Sequence, residues 1–156
     1  MEHALLADIL HHWDIECKAE RPELTPAGSP ERSLLRTVVE DAAGRRYVLE
    51  RVAARTIARK REIAASLDWL ASRGLAGIHP CLRSREGDFL VKAGGGFWQA
   101  SPFLEGVALA RPDYIFEGWR GRALAQFLVD MKDRSDGIPF GRPGRPFSIA
   151  EFTRDL

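Results

Sequence analysis

The chain has 156 residues, of which 45% are hydrophobic and 29% are charged. That length and balance are typical of one folded domain with its own core, and they exclude a disordered chain. The formal net charge of +1 provides no general attraction for nucleic acid or for an acidic membrane surface. We therefore predict that neither nucleic acid nor a membrane is a partner.

The two cysteines, Cys17 and Cys81, form no CxxC pair and no Cys/His cluster with metal-ligand spacing. Such sparse cysteine use is typical of a reducing compartment, and it predicts a cytoplasmic location. The N-terminal segment MEHALLADILHHW is too short and too polar to span a membrane. It also lacks the basic region that precedes the apolar part of a secretory signal.

The first elements alternate between helical and strand patterns. Apolar residues in the segment ALLADIL recur at helical spacing and predict a short amphipathic helix near residues 2–12. A strand is expected at residues 20–24, ahead of the loop TPAGSPE. The segments RSLLRTVVED and RRYVLERV then predict two strands joined by a short glycine-containing turn, which is a hairpin.

A long helix and further strands follow the hairpin. The apolar spacing of ARTIARKREIAASLDWLASRG predicts a helix near residues 54–73 that ends at Gly74. The segments DFLVK and FWQASPF predict strands. Three glycines at 94–96 precede neither GKS nor GKT nor a helix, so they predict a hairpin turn and not a phosphate loop. Further helices are expected at residues 114–134 and in FSIAEFTRDL.

The densest basic run is Arg59, Lys60 and Arg61, inside the long predicted helix. A solvated helix face is the ordinary interpretation of such a run, and it predicts exposed side chains. At the other end of the sequence, Phe147 and Phe152 begin an apolar helical face that no later segment can cover. This ending leads us to expect a fragment of a longer protein.

The order of these elements resembles the small lobe of a protein-kinase-like fold. GSPERSLLRTVVEDAAGRRYVLERV resembles the first three strands of the aminoglycoside phosphotransferase and choline kinase family. REIAASLDWLASRGL resembles its next helix, and GGGFWQASPFLEG resembles its fifth strand and hinge. The resemblance implies an α+β fold, with an antiparallel sheet of about five strands and a packed long helix in a small lobe at 1–106. Residues 107–156 would be a linker and the first helices of a truncated large lobe.

The resemblance implies a kinase that transfers the γ-phosphate of ATP, with Mg²⁺, to a hydroxyl of a small-molecule acceptor. The family's catalytic aspartate lies after the hinge in a loop resembling HGDxxxxN. The segment HHWD at residues 11–14 precedes the nucleotide loop and has Ala19 where the family has asparagine, so it is not catalytic. No other segment supplies the motif, and the chain itself is expected to be inactive. The alternatives are a non-catalytic kinase-like module that binds a regulatory partner or nucleotide, and an unrelated α+β binding domain.

The resemblance also implies roles for individual residues. The loop at 25–32 would cover the phosphates, through the backbone of Gly28 and the hydroxyl of Ser29. At the hinge, Ser101 would lie at the back of the adenine pocket. Pro102 would offer a backbone carbonyl to the adenine amino group, and Leu104 would donate its N–H to the adenine ring.

Glu50 departs from the family pattern, because the family has a phosphate-binding lysine at this position and pairs it with a helix glutamate, here Glu62. Strand alternation places Glu50 on one face and Arg51 on the other. Two carboxylates beside a triphosphate would repel it. A one-residue bulge could present Arg51 to the phosphates instead, or an arginine from elsewhere could supply the cation. In a further alternative, this branch does without the lysine or no longer binds ATP.

Overall fold

A computed structural model of the chain describes residues 3–26, 33–106 and 117–139. The helices are α1 (His3–His11), α2 (Ile57–Ser72) and α3 (Gly118–Arg134). The strands are β1 (Cys17–Glu20), β2 (Ser33–Asp41), β3 (Arg46–Val52), β4 (Val91–Ala93) and β5 (Gly96–Pro102). Short 3₁₀ turns at Pro22–Leu24 and Ala54–Thr56 precede β2 and α2.

The strands form one five-stranded sheet in the order β1-β2-β3-β5-β4. Every neighbouring pair is antiparallel, and β3 lies at the centre between β2 and β5. The predicted α+β fold, with an antiparallel sheet of about five strands and a long helix packed on it, is therefore confirmed.

Two tight turns set the register of the hairpins. After β2, Asp41 Oδ1 accepts hydrogen bonds from the N–H groups of Ala43 and Arg45, each at 2.9 Å. Between β4 and β5, Gly94 and Gly95 have φ values of 53° and 69°. Two consecutive residues with positive φ are typical of a two-residue hairpin turn, so the glycine run is the turn that its sequence predicts.

Helix α1 covers one face of the sheet. Leu6, Ile9 and Leu10 of this helix are fully buried. Beyond the helix, Trp13 Nε1 donates to the carbonyl oxygen of Leu82 at 3.2 Å. The strand residues in the same core are Val39, Leu49, Val91, Trp98 and Ala100.

Helix α2 lies on the opposite face. Ile57 and Ala64 pack in a second core with Val52 and Phe97, which are cross-strand partners on β3 and β5. Because alternate residues of a strand face opposite sides, Val48 and Glu50 of β3 face the α2 side together with Val52. Only part of that face is filled by the second core, and the remainder lines a cleft.

The structure differs from the sequence-based prediction mainly at the ends of elements. The strand predicted at 20–24 is misplaced, because β1 is Cys17–Glu20 and shares only Glu20 with that range. The residues from Pro22 to Leu24 form a 3₁₀ turn, and Pro22 has no N–H to donate to a neighbouring strand. The helix predicted near 54–73 begins at Ile57, after a 3₁₀ turn. The helix in FSIAEFTRDL and the start of the one predicted at 114–134 lie outside the described residues.

Glu40 on β2 connects three parts of the sheet through two arginines. Its Oε1 accepts from Arg21 Nη2 at 2.9 Å, and its Oε2 accepts from Arg21 Nε and Arg46 Nε, each at 3.1 Å. The hydrogen bond from Arg21, followed by that from Arg46, lowers the pKa of Glu40 to about 2. The carboxylate therefore stays ionised far below neutral pH.

We predict that Glu40→Gln makes the stability of the protein less sensitive to acid. The pKa of Glu40 is lower in the folded state than its ordinary value of 4.5. Its charge therefore stabilises the fold above that value, and the contribution is lost as the pH falls toward 2. At pH 7 the variant should unfold at a lower urea concentration than the parent, and this difference should shrink between pH 4.5 and pH 2.

Urea unfolding followed by circular dichroism at several pH values measures the difference. Glu16→Gln, at an exposed position near β1, is the matched control for loss of one carboxylate. A gap between parent and Glu40→Gln that stays constant over this pH range would contradict the assignment of the shifted pKa to Glu40.

Candidate functional site

A cleft of about 320 Å³ opens on the side of the sheet that carries α2. One wall is apolar and includes Val48 of β3 and Leu104 beyond the end of β5. Charged side chains from β2 and β3 contribute to the rest. The full lining consists of Pro26, Arg36, Val48, Glu50, Ser101, Pro102, Phe103 and Leu104. The cleft therefore combines an apolar surface with a charged cluster.

The end of β5 and the residues that follow it line part of the cleft. Phe103 N–H donates to Arg46 O of β3 at 2.9 Å, whereas Ala100 O accepts from Leu82 N–H at 2.8 Å on the other side of the strand. Alternate residues of an antiparallel strand direct their backbone groups to opposite edges. The carbonyl of Pro102 therefore points away from β3. The predicted hinge residues Ser101, Pro102 and Leu104 are thus together on the cleft wall.

Glu50 is buried, and both of its carboxylate oxygens accept hydrogen bonds. Lys60 Nζ of α2 donates to Oε1 at 2.9 Å, and Gln99 Nε2 of β5 donates to Oε2 at 2.8 Å. Arg36 Nη2 of β2 lies 3.5 Å from Oε1. Two cations and one carboxylate give this cluster a formal charge of +1.

The charge state of Glu50 is determined by these partners. Burial raises the pKa of the carboxyl group, but the hydrogen bond and charge of Lys60, together with Arg36 and Gln99, lower it by more. The net result is a pKa below the ordinary value for glutamate, so Glu50 is ionised at neutral pH. It acts as an acceptor that anchors Lys60 and does not serve as a proton donor.

Lys60 is a charged residue beside the cleft that the sequence does not single out. Its basic run predicts an exposed side chain, but the side chain of Lys60 is only 18% exposed. Ile57 lies three residues before it and Ala64 four residues after it, so all three share the face of α2 that packs on the sheet. Its neighbours differ: Arg59 is exposed, and Arg61 donates to Asp88 Oδ2 at 3.0 Å. The spacing of Lys60 from Ile57 and Ala64 is the sequence feature that indicates a sheet-facing side chain at this position.

Glu62 does not take the place that the resemblance implies. Glu62 follows Lys60 by two residues, which is more than half a helical turn. Its side chain therefore points away from the sheet and is exposed. The pair in this chain is therefore a strand glutamate with a helix lysine. The resemblance implies the opposite pair, a strand lysine with a helix glutamate. The expected repulsion between Glu50 and Glu62 does not arise.

The prediction that a bulge presents Arg51 to the cleft is wrong. Strand β3 pairs with β5 in continuous register from Tyr47 to Val52. The irregularity in its pairing with β2 lies on β2, between Ser33 and Leu35. Arg51 Nη2 donates to Gly95 O at 3.4 Å, on the turn between β4 and β5 and away from Glu50. An arginine from elsewhere, Arg36, is the one near Glu50.

Other predicted features are tested only in part. Gly28 and Ser29 lie outside the described residues, although Pro26, just before them, lines the cleft. Across residues 3–26, 33–106 and 117–139, no group of three or more His, Cys, Asp or Glu side chains is arranged to hold a metal ion. None of the helices in these ranges is long and apolar enough to cross a membrane.

We predict that Lys60→Met destabilises the fold by about 3 kcal/mol, because it leaves Glu50 buried without its closest cation. This value lies at the low end of the cost of breaking a buried ion pair, since Arg36 remains near the carboxylate. Adding Glu50→Gln to Lys60→Met should recover most of the loss, because no unpaired buried carboxylate then remains.

Urea unfolding of both variants and the parent measures these free energies, with the exposed Arg59→Met as the control on the same helix. If Lys60→Met were as stable as Arg59→Met, the ion pair with Glu50 would contribute nothing to the fold.

Known proteins include relatives of this chain by family and by fold. Residues 25–153 match the Phosphotransferase enzyme family, whereas no curated protein matches the chain. A spectinomycin phosphotransferase in complex with ADP and spectinomycin is similar with a TM-score of 0.63 and 14% identity, over 88% of this chain and 40% of that one. An amicoumacin kinase in complex with AMP-PNP and Ca²⁺ is similar with a TM-score of 0.61 and 17% identity, over 91% of this chain and 42% of that one.

The two solved structures share the fold, and this chain spans about two fifths of the length of each. The match to the family covers well over half of the chain. The resemblance to aminoglycoside phosphotransferases is thereby confirmed, and the chain belongs to the Phosphotransferase enzyme family.

Proposed function

We propose that residues 1–106 form the ATP-binding lobe of a small-molecule kinase, and that residues 107–156 link it to a second lobe. The observation that carries this proposal is the cleft on the α2 side of the sheet. Its lining includes Pro102, Leu104 and an apolar wall, and a cluster with two cations adjoins it. The neighbours bound to ADP and AMP-PNP support the choice of an adenine nucleotide.

The residues of the cleft fit an adenine ring. Val48 offers apolar surface to a face of the ring. The carbonyl of Pro102 would accept a hydrogen bond from the adenine amino group, and the N–H of Leu104 would donate to a ring nitrogen. Proline suits this position because the outward edge there requires only an acceptor. Ser101 would limit the depth of the pocket.

The charged part of the cleft fits the phosphates of the same ligand. Lys60 and Arg36 together outweigh the charge of Glu50, which leaves one net positive charge beside the cleft. The loop at 25–32, with Gly28 and Ser29, is proposed to cover the phosphates, and Pro26 brings its first part to the cleft. Backbone N–H groups and a serine hydroxyl are suitable donors to phosphate oxygens.

Mg²⁺ and the phosphate acceptor belong to the second lobe in this proposal. The described residues do not fit a metal site, because they contain no suitable cluster of carboxylate, imidazole or thiolate ligands. Mg²⁺ held by that lobe would supply positive charge at the phosphates. The residues of this lobe bind and orient the nucleotide, and they exclude water from the adenine.

A second candidate function is a non-catalytic kinase-like module that binds a nucleotide or a protein partner. The observation in its favour is Glu50, a carboxylate at the position where the family has lysine. The coding sequence distinguishes the two functions. A segment resembling HGDxxxxN encoded after Leu156 would support the kinase, and a stop codon there would support the module.

We predict that the purified chain of residues 1–156 binds ATP but phosphorylates neither aminoglycosides nor choline nor sugars. Phosphoryl transfer requires a carboxylate that orients the acceptor hydroxyl and ligands for Mg²⁺, and the sequence contains no HGDxxxxN segment after the hinge. Release of ADP in the presence of each acceptor is measured with a coupled assay. Acceptor-dependent ADP release by this chain would show that its own residues suffice for catalysis.

We predict that Leu104→Pro lowers ATP affinity by about 1–3 kcal/mol, because it removes the N–H donor and leaves an adenine nitrogen unpaired. Leu104→Ala keeps the donor and should change the affinity much less, since the side chain is 53% exposed. Isothermal titration calorimetry measures both affinities.

Circular dichroism must show that Leu104→Pro keeps the fold of the parent. Ser101→Phe is an independent check, because a larger side chain should exclude bulky adenine analogues from the back of the pocket. A folded Leu104→Pro variant with the ATP affinity of the parent would mean that adenine does not bind at this edge.

A further inference from the structure

The ion pair between the central strand and the helix has its charges exchanged relative to the pattern that the family resemblance implies. The strand supplies the carboxylate, Glu50, and the helix supplies the ammonium, Lys60, with Nζ 2.9 Å from Oε1. Arg51 points to the other face of the sheet, and Glu62 is exposed. A cation is therefore present beside the cleft, but it comes from α2.

We propose that Lys60 contacts the phosphates of the bound nucleotide, and that Glu50 holds its ammonium in place. This inference rests on the proposed function, because it assumes that the cleft binds ATP. It assigns the role of the strand lysine to a helix residue.

The donor capacity of Lys60 supports the assignment. An ammonium group carries three N–H donors, and among the described residues the structure shows one acceptor for it, Glu50 Oε1. The side chain is 18% exposed, so it is shielded but still reaches solvent. Because Glu50 itself lines the cleft, an ammonium bound to its Oε1 lies close to that space. A phosphate oxygen could accept from one of the donors for which the described residues show no acceptor.

The position of the ammonium is fixed before a ligand arrives. Glu50 cannot rotate freely, because Gln99 Nε2 holds its second oxygen at 2.8 Å and both residues are buried in the sheet. The carboxylate therefore presents Oε1 to α2 in one orientation. A side chain that is already held loses less conformational entropy when it binds a ligand.

Charge alone does not identify Lys60, because Arg36 also lies near the carboxylate. The experiment must therefore remove the ammonium while the net charge of the cluster stays constant. The double variant Glu50→Gln with Lys60→Met does so, since it deletes one negative and one positive charge. It also leaves no carboxylate buried without a partner, so it should fold where Lys60→Met alone is destabilised.

Isothermal titration calorimetry gives the affinities of the parent and the double variant for ATP and for adenosine. The ratio of these two affinities isolates the contribution of the phosphates from that of adenine. We expect the ratio to fall by about tenfold to a hundredfold in the double variant, the range for a lost hydrogen bond to a charged group. Affinity for adenosine should stay within about threefold, because the adenine contacts are unchanged.

Two further variants separate direct contact from long-range charge. Glu50→Gln alone removes the anchor but keeps the ammonium, so its preference for ATP should fall less than that of the double variant. Glu50→Gln with Arg59→Met has the same net charge as the double variant but loses an exposed cation of the same helix, so it should show the preference of Glu50→Gln alone.

Lysine labelling tests the contact in the unmodified protein. Trace acetylation followed by mass spectrometry reports the reactivity of each lysine, and ATP should protect Lys60 more than adenosine does. Lys92, which is exposed on β4, should be labelled equally with either ligand.

The outcomes separate this inference from the function on which it rests. A parent that binds ATP, with an unchanged ratio in the double variant or equal labelling of Lys60 with ATP and adenosine, would overturn the role of Lys60 alone. A parent that binds neither ATP nor adenosine would overturn the proposed function and the inference together.

Discussion

The burial of one carboxylate, Glu50, constrains how the central part of the fold is assembled. A charged group removed from water is costly unless hydrogen bonds and opposite charges replace its hydration. Here the replacements come from three other elements, with Arg36 on β2, Gln99 on β5 and Lys60 on α2. The register of three strands and the rotation of the helix about its axis must therefore all be correct at once. An error in any of them would leave a buried charge without a partner.

The sequence predicts the elements well because the signals for them are local. Hairpin turns depend on a few residues such as Gly94 and Gly95, and helices on a spacing that repeats within one segment. A basic run predicts exposure for all of its members, but this prediction is wrong for Lys60. Its direction depends on the packing of Ile57 and Ala64 against the sheet, which is a tertiary property.

The residues of the candidate site also differ in how well the sequence predicts their positions. The predicted hinge residues line the cleft together, because their position follows from β5 alone and their proposed contacts are made by the backbone. The charged residues depend on which elements meet, and here the sequence-based assignment of Arg51 and Glu62 fails. The alternation of β3 correctly separates Arg51 from Glu50, but only the observed pairing with β5 excludes a bulge that would reverse this arrangement.

The exchanged ion pair also restricts how this sequence can change over evolutionary time. Changing Glu50 to lysine alone would place two ammonium groups in contact, and changing Lys60 to glutamate alone would do the same with two carboxylates. Either intermediate would hold like charges in a largely buried position, where their repulsion is weakly screened. Conversion between the two orientations of the pair therefore requires both substitutions together, or a route through a neutral residue at one of the two positions. The present orientation is consequently protected from single reversals by the stability of the fold itself.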